Sequence, residues 1–267
     1  GMPRMGIAGA AVATVIGQII AAILALVFNL KCNRELNISM KGFRPNGHLI
    51  VQIYKVGAPS IVVQAIGSLM TYGMNLILAA FGSAQTVFGI YFKLQSFVFM
   101  PVFGLNNGMV PIIAYNYGAG HKDRVIKTIK HSVAYGVGIM FVGLLAMHIF
   151  PAQLMRMFDA EESLIAIGAP ALETISLSFV FAGFCIVAGS VFQALGNGVY
   201  SMIVSVARQM CVLLPVAKLL SLSGEVTLIW WAFPIAELAS VLLTSYFLVR
   251  IYRKVICHIG EPVVQDA

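Results

Sequence analysis

The sequence predicts an all-α membrane protein, a polytopic bundle of seven transmembrane helices. Apolar residues make up 60% of the 267-residue chain, charged residues 10%, and the mean hydropathy is +0.92. These values exceed those of a water-soluble domain. A bilayer core requires about twenty mostly apolar residues per helix. The stretches that meet this requirement are residues 7–30, 57–80, 86–114, 130–150, 163–194, 199–221 and 226–249.

Basic residues collect in alternate gaps between these spans and predict the orientation. Lys and Arg are concentrated in residues 31–55, 122–130 and 250–254, whereas the opposite gaps are acidic or nearly uncharged. Because basic residues favour the cytoplasmic side, we expect a cell inner (plasma) membrane protein with its N-terminus outside and its C-terminus in the cytoplasm. The net charge of +7 then faces anionic lipid headgroups, and no nucleic-acid partner is required.

The longest polar stretch predicts a division of the chain. Residues 31–56 are expected to form a cytoplasmic linker that ends in a short interfacial helix over 48–55. This linker separates the first helix, within 1–30, from six spans within 57–253. Residues 254–267 are expected to be a cytoplasmic tail. An odd number of spans with an outside start predicts that this chain is the C-terminal part of a longer protein.

The second span carries a polar stripe. Gln64, Ser68, Thr71 and Asn75 follow steps of four, three and four residues, which places them on one helical face. Such a face either lines a wet cavity or forms hydrogen bonds with neighbouring helices. Four successive turns exceed what one or two interhelical bonds need, so we favour a substrate cavity.

Four charged residues lie inside the predicted spans. Glu173 and Glu237 are roughly 15 Å from the outer ends, at 1.5 Å per residue, and Arg208 reaches a similar depth from the inner side. Lys93 is shallower and is expected to extend its ammonium group towards the interface. A charge at the bilayer centre costs at least about 2.5 to 3.5 kcal/mol on insertion scales, so each needs a partner or water.

The two glutamates are candidates for binding the coupling ion. One interpretation of Arg208 and Glu237 is a structural ion pair between adjacent helices, and this would leave Glu173 without a partner. A carboxylate in a low-dielectric surrounding binds protons or cations more readily than in water. Glu173 is therefore the first candidate and Glu237 the second. Ser176 and Gly183 fall on the Glu173 face and extend the predicted cavity wall.

Prolines and glycines mark possible gates and contacts. Prolines in spans free a backbone carbonyl and can kink the helix, although membrane helices tolerate them in general. Gly104 and Gly108 form a small-xxx-small pair suited to close helix packing. The structural or gating candidates are Lys93, Arg208, Pro101, Pro111, Pro215 and Pro234.

Signatures of enzymes and metal sites do not occur. The histidines show no metal-ligand spacing, and the sequence contains neither a phosphate-binding glycine-rich loop nor a nucleophile elbow. We expect no enzymatic activity, no metal site and no resident cofactor. The remaining classes are an ion-driven transporter, a flippase and a membrane scaffold.

Several segments resemble one transporter family. Residues 87–120 close with the sequence Pro-Ile-Ile-Ala-Tyr-Asn-Tyr-Gly-Ala at 111–119, which is similar to the eighth helix of multidrug and toxic compound extrusion (MATE) transporters. Further similarity lies at Gly6 to Gln18 for the sixth helix, and at 193–197, Arg208-Gln209 with Pro215, and 234–237 for the tenth to twelfth.

The resemblance implies both a fold and a function. MATE transporters have twelve helices in two lobes, so this chain would hold the sixth helix and the C-terminal six-helix lobe, with the N-terminal lobe as its missing partner. The family exports organic cations and amphipathic drugs in exchange for Na⁺ or H⁺. Some members place an acidic residue in the seventh helix, where this chain has Gln64, so the resemblance leaves the coupling ion open. The alternatives are a lipid-linked oligosaccharide flippase, which would need a more cationic cavity, and a non-transporting fragment.

Overall fold

The computed structural model describes residues 6–32 and 44–260, and all regular structure in these two ranges is helical. The chain divides into two units, Gly1–Val51 and Gln52–Ala267. The helices are α1 (Gly6–Cys32), α2 (Gly47–Leu78), α3 (Ala84–Gly118), α4 (Lys122–Ile149), α5 (Pro151–Arg156), α6 (Glu162–Ser176), α7 (Phe179–Ala194), α8 (Gly198–Val206), α9 (Leu214–Ser221), α10 (Val226–Ile229) and α11 (Ala232–Lys254). Short 3₁₀ turns cover Ala79–Phe81 and Ile256–His258, and a π-helical segment covers Ala207–Leu213.

The predicted helical membrane bundle is confirmed. Six helical stretches are long and apolar enough to cross a bilayer, and the pair α6 and α7 makes a seventh if it is counted as one bent span. The bend measures 48°. At the bend, Ser176 Oγ and Ser178 Oγ donate to the carbonyls of Glu173 and Ile175, at 3.0 and 2.6 Å. Hydroxyls that bond a carbonyl of the preceding turn compete with the helical ladder and favour such bends.

The predicted linker lies largely outside the described residues, because 33–43 are not described. The helix expected over 48–55 is present, but it continues without a break into the following span as the first turns of α2. The end of the predicted tail, 261–267, also lies outside the described ranges. The division into 1–30, 31–56, 57–253 and 254–267 therefore stays a prediction.

The fourth span is longer than the hydropathy pattern predicts. The helix begins at Lys122, well before the expected start at 130, and after Phe150 it is followed by α5. Pro151 opens α5, where its missing N–H costs no intrahelical bond. The Met155 side chain of α5 packs against Gly168 of α6. The chain therefore passes through a short helix that packs on α6 before it enters the next span.

Close packing in the second unit depends on glycines of α4 and α7. The backbone oxygen of Gly136 lies 3.0 Å from where a Cβ on Gly183 would be, and Val98 occupies the corresponding space beside Gly143. Side chains at these positions would push α3, α4 and α7 apart. In contrast, a Cβ on Gly104 or Gly108 would have no atom within 4 Å. The expectation that Gly104 and Gly108 form a helix contact is wrong for the described part of the chain, because no helix approaches that face.

The predicted cytoplasmic end is tied to the C-terminal segment. Lys122 Nζ donates to the carbonyl of Cys257 at 2.9 Å. Gly120 and Gly260, both with positive φ, lie so close that the Gly120 oxygen is 3.0 Å from where a Cβ on Gly260 would be. The start of α4 and the residues after α11 are thus held together by backbone contacts that only glycine permits.

Candidate functional site

The predicted polar stripe of α2 is helical and faces outward. Gln64 and Ser68 are exposed, and Thr71 and Asn75 are half-buried. Thr71 Oγ1 donates to the Gly67 carbonyl at 3.0 Å and Asn75 Nδ2 donates to the Thr71 carbonyl at 2.9 Å. Across the part of the chain that is described, none of these four side chains bonds another span. The role of this stripe as a cavity wall stays a prediction.

A shallow recess occupies the first half of this stripe. Its volume is about 500 Å³. Polar groups alternate along it with apolar side chains, and the lining residues are Ser60, Ile61, Gln64, Ala65 and Ser68. The recess is wide open, so another surface would have to cover it before a small molecule could be enclosed there.

Glu173 lies on α6 one turn before the bend and is half-buried. Its carboxylate forms no ion pair with any described residue. Gly183, which was expected on the same face, lies beyond the bend and packs against Gly136 and Met140 of α4 instead. The continuous small face predicted from Glu173 to Gly183 is wrong, because the 48° bend separates its two ends.

His148 is a neighbour of this turn that the sequence did not reveal. Its Nδ1 lies 3.1 Å from Ser176 Oγ, which in turn donates to the Glu173 carbonyl. Because a serine hydroxyl has one proton, Ser176 accepts from His148 Nδ1–H. His148 lies in the last turn of α4, beside α6. No spacing rule in the sequence links residues 148 and 176.

The expected ion pair between Arg208 and Glu237 is present. Arg208 Nη1 donates to Glu237 Oε1. The Glu237 side chain is 6% exposed and the Arg208 side chain 31% exposed. The second carboxylate oxygen, Glu237 Oε2, is buried and has no hydrogen-bond donor among the described residues. One turn further along α11, Ser240 Oγ donates to Cys185 Sγ of α7 at 3.4 Å.

The backbone that holds Arg208 is irregular. Arg208 lies in the π-helical segment Ala207–Leu213, between α8 and α9. Pro215 follows directly and lacks the N–H that the next turn would use. π-Helical turns are rare and often occur at functional sites. Of the other proline candidates, Pro101 and Pro111 lie inside α3 without ending it, and Pro234 lies in the first turn of α11.

Lys93 is exposed, as expected for a side chain that extends out of its span. Its Nζ lies 5.6 Å from the centre of the Phe158 ring, within range of a cation–π contact. Phe158 follows α5, so the lysine is associated with the loop before α6.

Comparison with known proteins decides the family. The MatE family model matches residues 59–219. The chain belongs to the MatE family. The match runs from α2 to α9, so it includes the polar stripe, Glu173 and Arg208 but leaves Glu237 outside. The predicted MATE resemblance is confirmed, and the chain is a multi-pass membrane protein.

Relatives of this MATE chain are multidrug exporters. It is 26% identical over 235 residues to the multidrug export protein MepA of Staphylococcus aureus, covering 87% of this chain and 51% of MepA. MepA of Staphylococcus haemolyticus is 25% identical over 252 residues, covering 94% and 55% of the two chains. The solved structure of the MATE multidrug transporter DinF-BH in complex with R6G is 33% identical to this chain, with a TM-score of 0.81. The match covers 95% of this chain and 57% of the DinF-BH chain. The chain spans about half the length of the curated relatives it matches.

Proposed function

We propose that this chain is the C-terminal part of a secondary active multidrug exporter, which moves organic cations and amphipathic drugs outward in exchange for Na⁺ or H⁺. The observation that carries the proposal is the open recess on α2, where Gln64 and Ser68 supply polar groups between apolar neighbours. The names of the relatives, multidrug export proteins, support the same function. The complete protein would contain the N-terminal lobe, lie in the plasma membrane and end in the cytoplasm.

Glu173 is suited to contact a cationic cargo. It is half-buried and has no ion-pair partner among the described residues, so its negative charge is available to a ligand. An organic cation beside it would replace part of the carboxylate's hydration with a favourable charge contact. We expect Glu173 to act together with the α2 recess, at the point where cargo passes.

One coupled ion supplies enough free energy for useful export. For a cargo without net charge, the ion carries one charge through the membrane, and 100 mV then provides about 2.3 kcal/mol. At about 1.4 kcal/mol per decade, this supports a cargo concentration ratio of roughly fifty-fold. One-for-one exchange of a monovalent organic cation moves no net charge, so its export is driven by the concentration gradient of the ion, with a tenfold ion gradient supporting a tenfold cargo gradient.

Efflux by the complete transporter in lipid vesicles tests this function. Ethidium would be loaded, and pH and Na⁺ gradients would be imposed separately; we expect one of them to drive efflux. Glu173→Gln should reduce efflux, while Glu162→Gln, on the same helix but exposed and paired with Arg156, serves as the matched control. If neither gradient drives efflux, the proposed function is wrong.

A further inference from the structure

The exposed face of α4 changes from basic to apolar along the helix. Arg124, Lys127, His131 and Tyr135 follow steps of three, four and four residues, which places them on one helical face, and all four are exposed. The same face continues through exposed positions of residues 138–149, which carry no charged side chain. One side of α4 therefore presents cations, then two polar rings, then an apolar surface.

The length of α4 places these groups at successive depths of a bilayer. The helix has 28 residues, which is about 42 Å at 1.5 Å per residue, whereas a hydrocarbon core is about 30 Å thick. The excess of about 12 Å, or roughly eight residues, extends into the headgroup region, and the basic end of the helix is the polar one. Arg124 and Lys127 then lie beside the headgroups, and the two rings lie near the edge of the hydrocarbon core.

The two cations at this end of the face are available to a ligand. Neither Arg124 nor Lys127 forms an ion pair with a described residue. Asp123, the acidic residue of the first turn, forms none with a described residue either. Two adjacent cations without a bound carboxylate attract an anion, and the arginine fork matches the geometry of a phosphate group.

The two rings below the cations are held in place on the helix. His131 Nδ1 lies 2.7 Å from the carbonyl oxygen of Lys127, and since a carbonyl only accepts, the imidazole N–H donates this bond. The centre of the His131 ring lies 6.4 Å from that of the Tyr135 ring. Tyrosine is enriched at membrane interfaces, where its ring faces hydrocarbon and its hydroxyl faces polar groups. A hydroxyl at this depth is suited to donate to the ester carbonyls of a glycerophospholipid.

The apolar part of the face begins with an open position. A Cβ on Gly138 would have no atom within 4 Å, so the glycine leaves a gap on the helix surface between Tyr135 and Val142. Val142 is 65% exposed and Ile149 is 60% exposed. A hydrocarbon chain can lie along this gap and cover the apolar side chains that follow it.

We propose that one molecule of an anionic glycerophospholipid binds along this face of α4. Its phosphate lies at the two basic residues, its glycerol esters lie beside the two rings, and an acyl chain covers the gap and the apolar residues beyond it. The order of anion, esters and hydrocarbon within the lipid matches the order of side chains along the helix. This inference goes beyond the proposed function and does not depend on it, because lipid binding requires neither cargo nor an ion gradient. The α4 lipid face consists of Arg124, Lys127, His131, Tyr135, Gly138 and Val142.

A second basic pair at the same end of the bundle provides a matched control. Arg253 and Lys254 are exposed near the end of α11, and the bond from Lys122 to the Cys257 carbonyl holds this end beside the start of α4. The α11 pair contributes to the general attraction between basic residues and an anionic lipid surface. The α4 pair should contribute the same attraction and, in addition, the contact with one particular lipid.

Lipid binding to the purified complete transporter in detergent tests the proposal. Native mass spectrometry would follow a titration with phosphatidylglycerol, compared with phosphatidylcholine of the same acyl chains, and we expect tighter binding of phosphatidylglycerol. In Arg124→Gln/Lys127→Gln the Kd for phosphatidylglycerol should rise about thirtyfold, because each basic residue beside an anionic lipid contributes a factor of about five. Arg253→Gln/Lys254→Gln removes the same charge from the same end and should leave this Kd unchanged.

Two further arms separate the lipid from its alternatives. Arg124→Lys/Lys127→Arg keeps both charges and should keep binding, which distinguishes loss of charge from loss of folding. Glycerol phosphate should bind at least about tenfold more weakly than phosphatidylglycerol, because it lacks the acyl chains that bury apolar surface. Equal affinity for glycerol phosphate, or equal losses in the α4 and α11 double variants, would overturn the proposal. It also falls if the complete transporter shows no preference for phosphatidylglycerol, as expected where another helix or a second copy covers this face.

Discussion

Glu173 and Glu237 have the same side chain and similar depth but opposite surroundings. Each lies about 16 Å along its span, measured at 1.5 Å per residue from Glu162 and Val226. Glu173 is half-buried and has no ion-pair partner among the described residues, whereas Glu237 is buried against Arg208. The surroundings, and not the distance along the span, determine what each carboxylate can bind.

This difference separates two tasks. A half-exposed carboxylate with no ion-pair partner among the described residues leaves its charge accessible to a ligand, whereas a buried one beside an arginine uses its charge within the bundle. Packing in the second unit varies in the same way: α4 and α7 meet closely through glycines, whereas Gly104 has open space around it. Perturbing the buried region should therefore cost stability, and perturbing the open one should affect ligand binding.

The largest effect is expected from Glu237→Ala. Removing one member of a buried ion pair leaves the other charge uncompensated, which typically costs about 3 to 5 kcal/mol. Because Arg208 is partly exposed, we expect a loss of stability at the low end of this range. Thermal unfolding of the purified protein in detergent measures this loss, with Glu173→Ala as the control. Equal destabilisation by the two variants would contradict the contrast drawn between these carboxylates.

Gly183→Ala should destabilise the buried region by about 1 to 3 kcal/mol, because its Cβ would meet the Gly136 oxygen and Met140. The matched variant Gly104→Ala has open space and should instead gain up to about 1 kcal/mol from improved helix propensity. The unfolding midpoints of the two variants show whether their changes in stability have opposite signs. A stable Gly183→Ala protein would mean that α4 and α7 tolerate separation.

Ser176→Ala removes the hydroxyl between His148 and the Glu173 carbonyl. Loss of these hydrogen bonds should cost about 1 kcal/mol, and the bend after α6 should lose one of its two serine contacts. Ser178→Ala, which removes the other, is the comparison. Unfolding measurements give the cost of each, and cargo affinity shows whether the position of Glu173 depends on Ser176.

Gln64→Leu should have the smallest effect on stability, within about 0.5 kcal/mol, since the side chain is exposed. We expect weaker ethidium binding, because the recess loses a polar group. Leu69→Gln, also exposed on α2 but outside the recess, should leave binding unchanged. Equal effects of the two variants on Kd would show that the recess is not part of the cargo site.

Hydropathy was sufficient to predict the membrane-spanning segments, and the residues at 111–119 were sufficient to indicate the family. The pairing of Arg208 with Glu237 could also be anticipated, because two opposite charges at matched depth have few alternatives. The contacts between glycines of different helices could not be predicted from the sequence. Gly104 and Gly108 show the small-xxx-small spacing yet meet no described helix, while Gly136 and Gly183, on different spans, meet each other.

The sequence by itself determined that this chain crosses a membrane several times, since burying apolar side chains in lipid is a local property that each segment carries independently. Tertiary structure alone decided the bend between α6 and α7, the π-helical register around Arg208 and the contact of His148 with Ser176. These features depend on which helices lie side by side and how closely they approach. That information resides in contacts between residues distant in sequence, which no periodicity within one segment specifies.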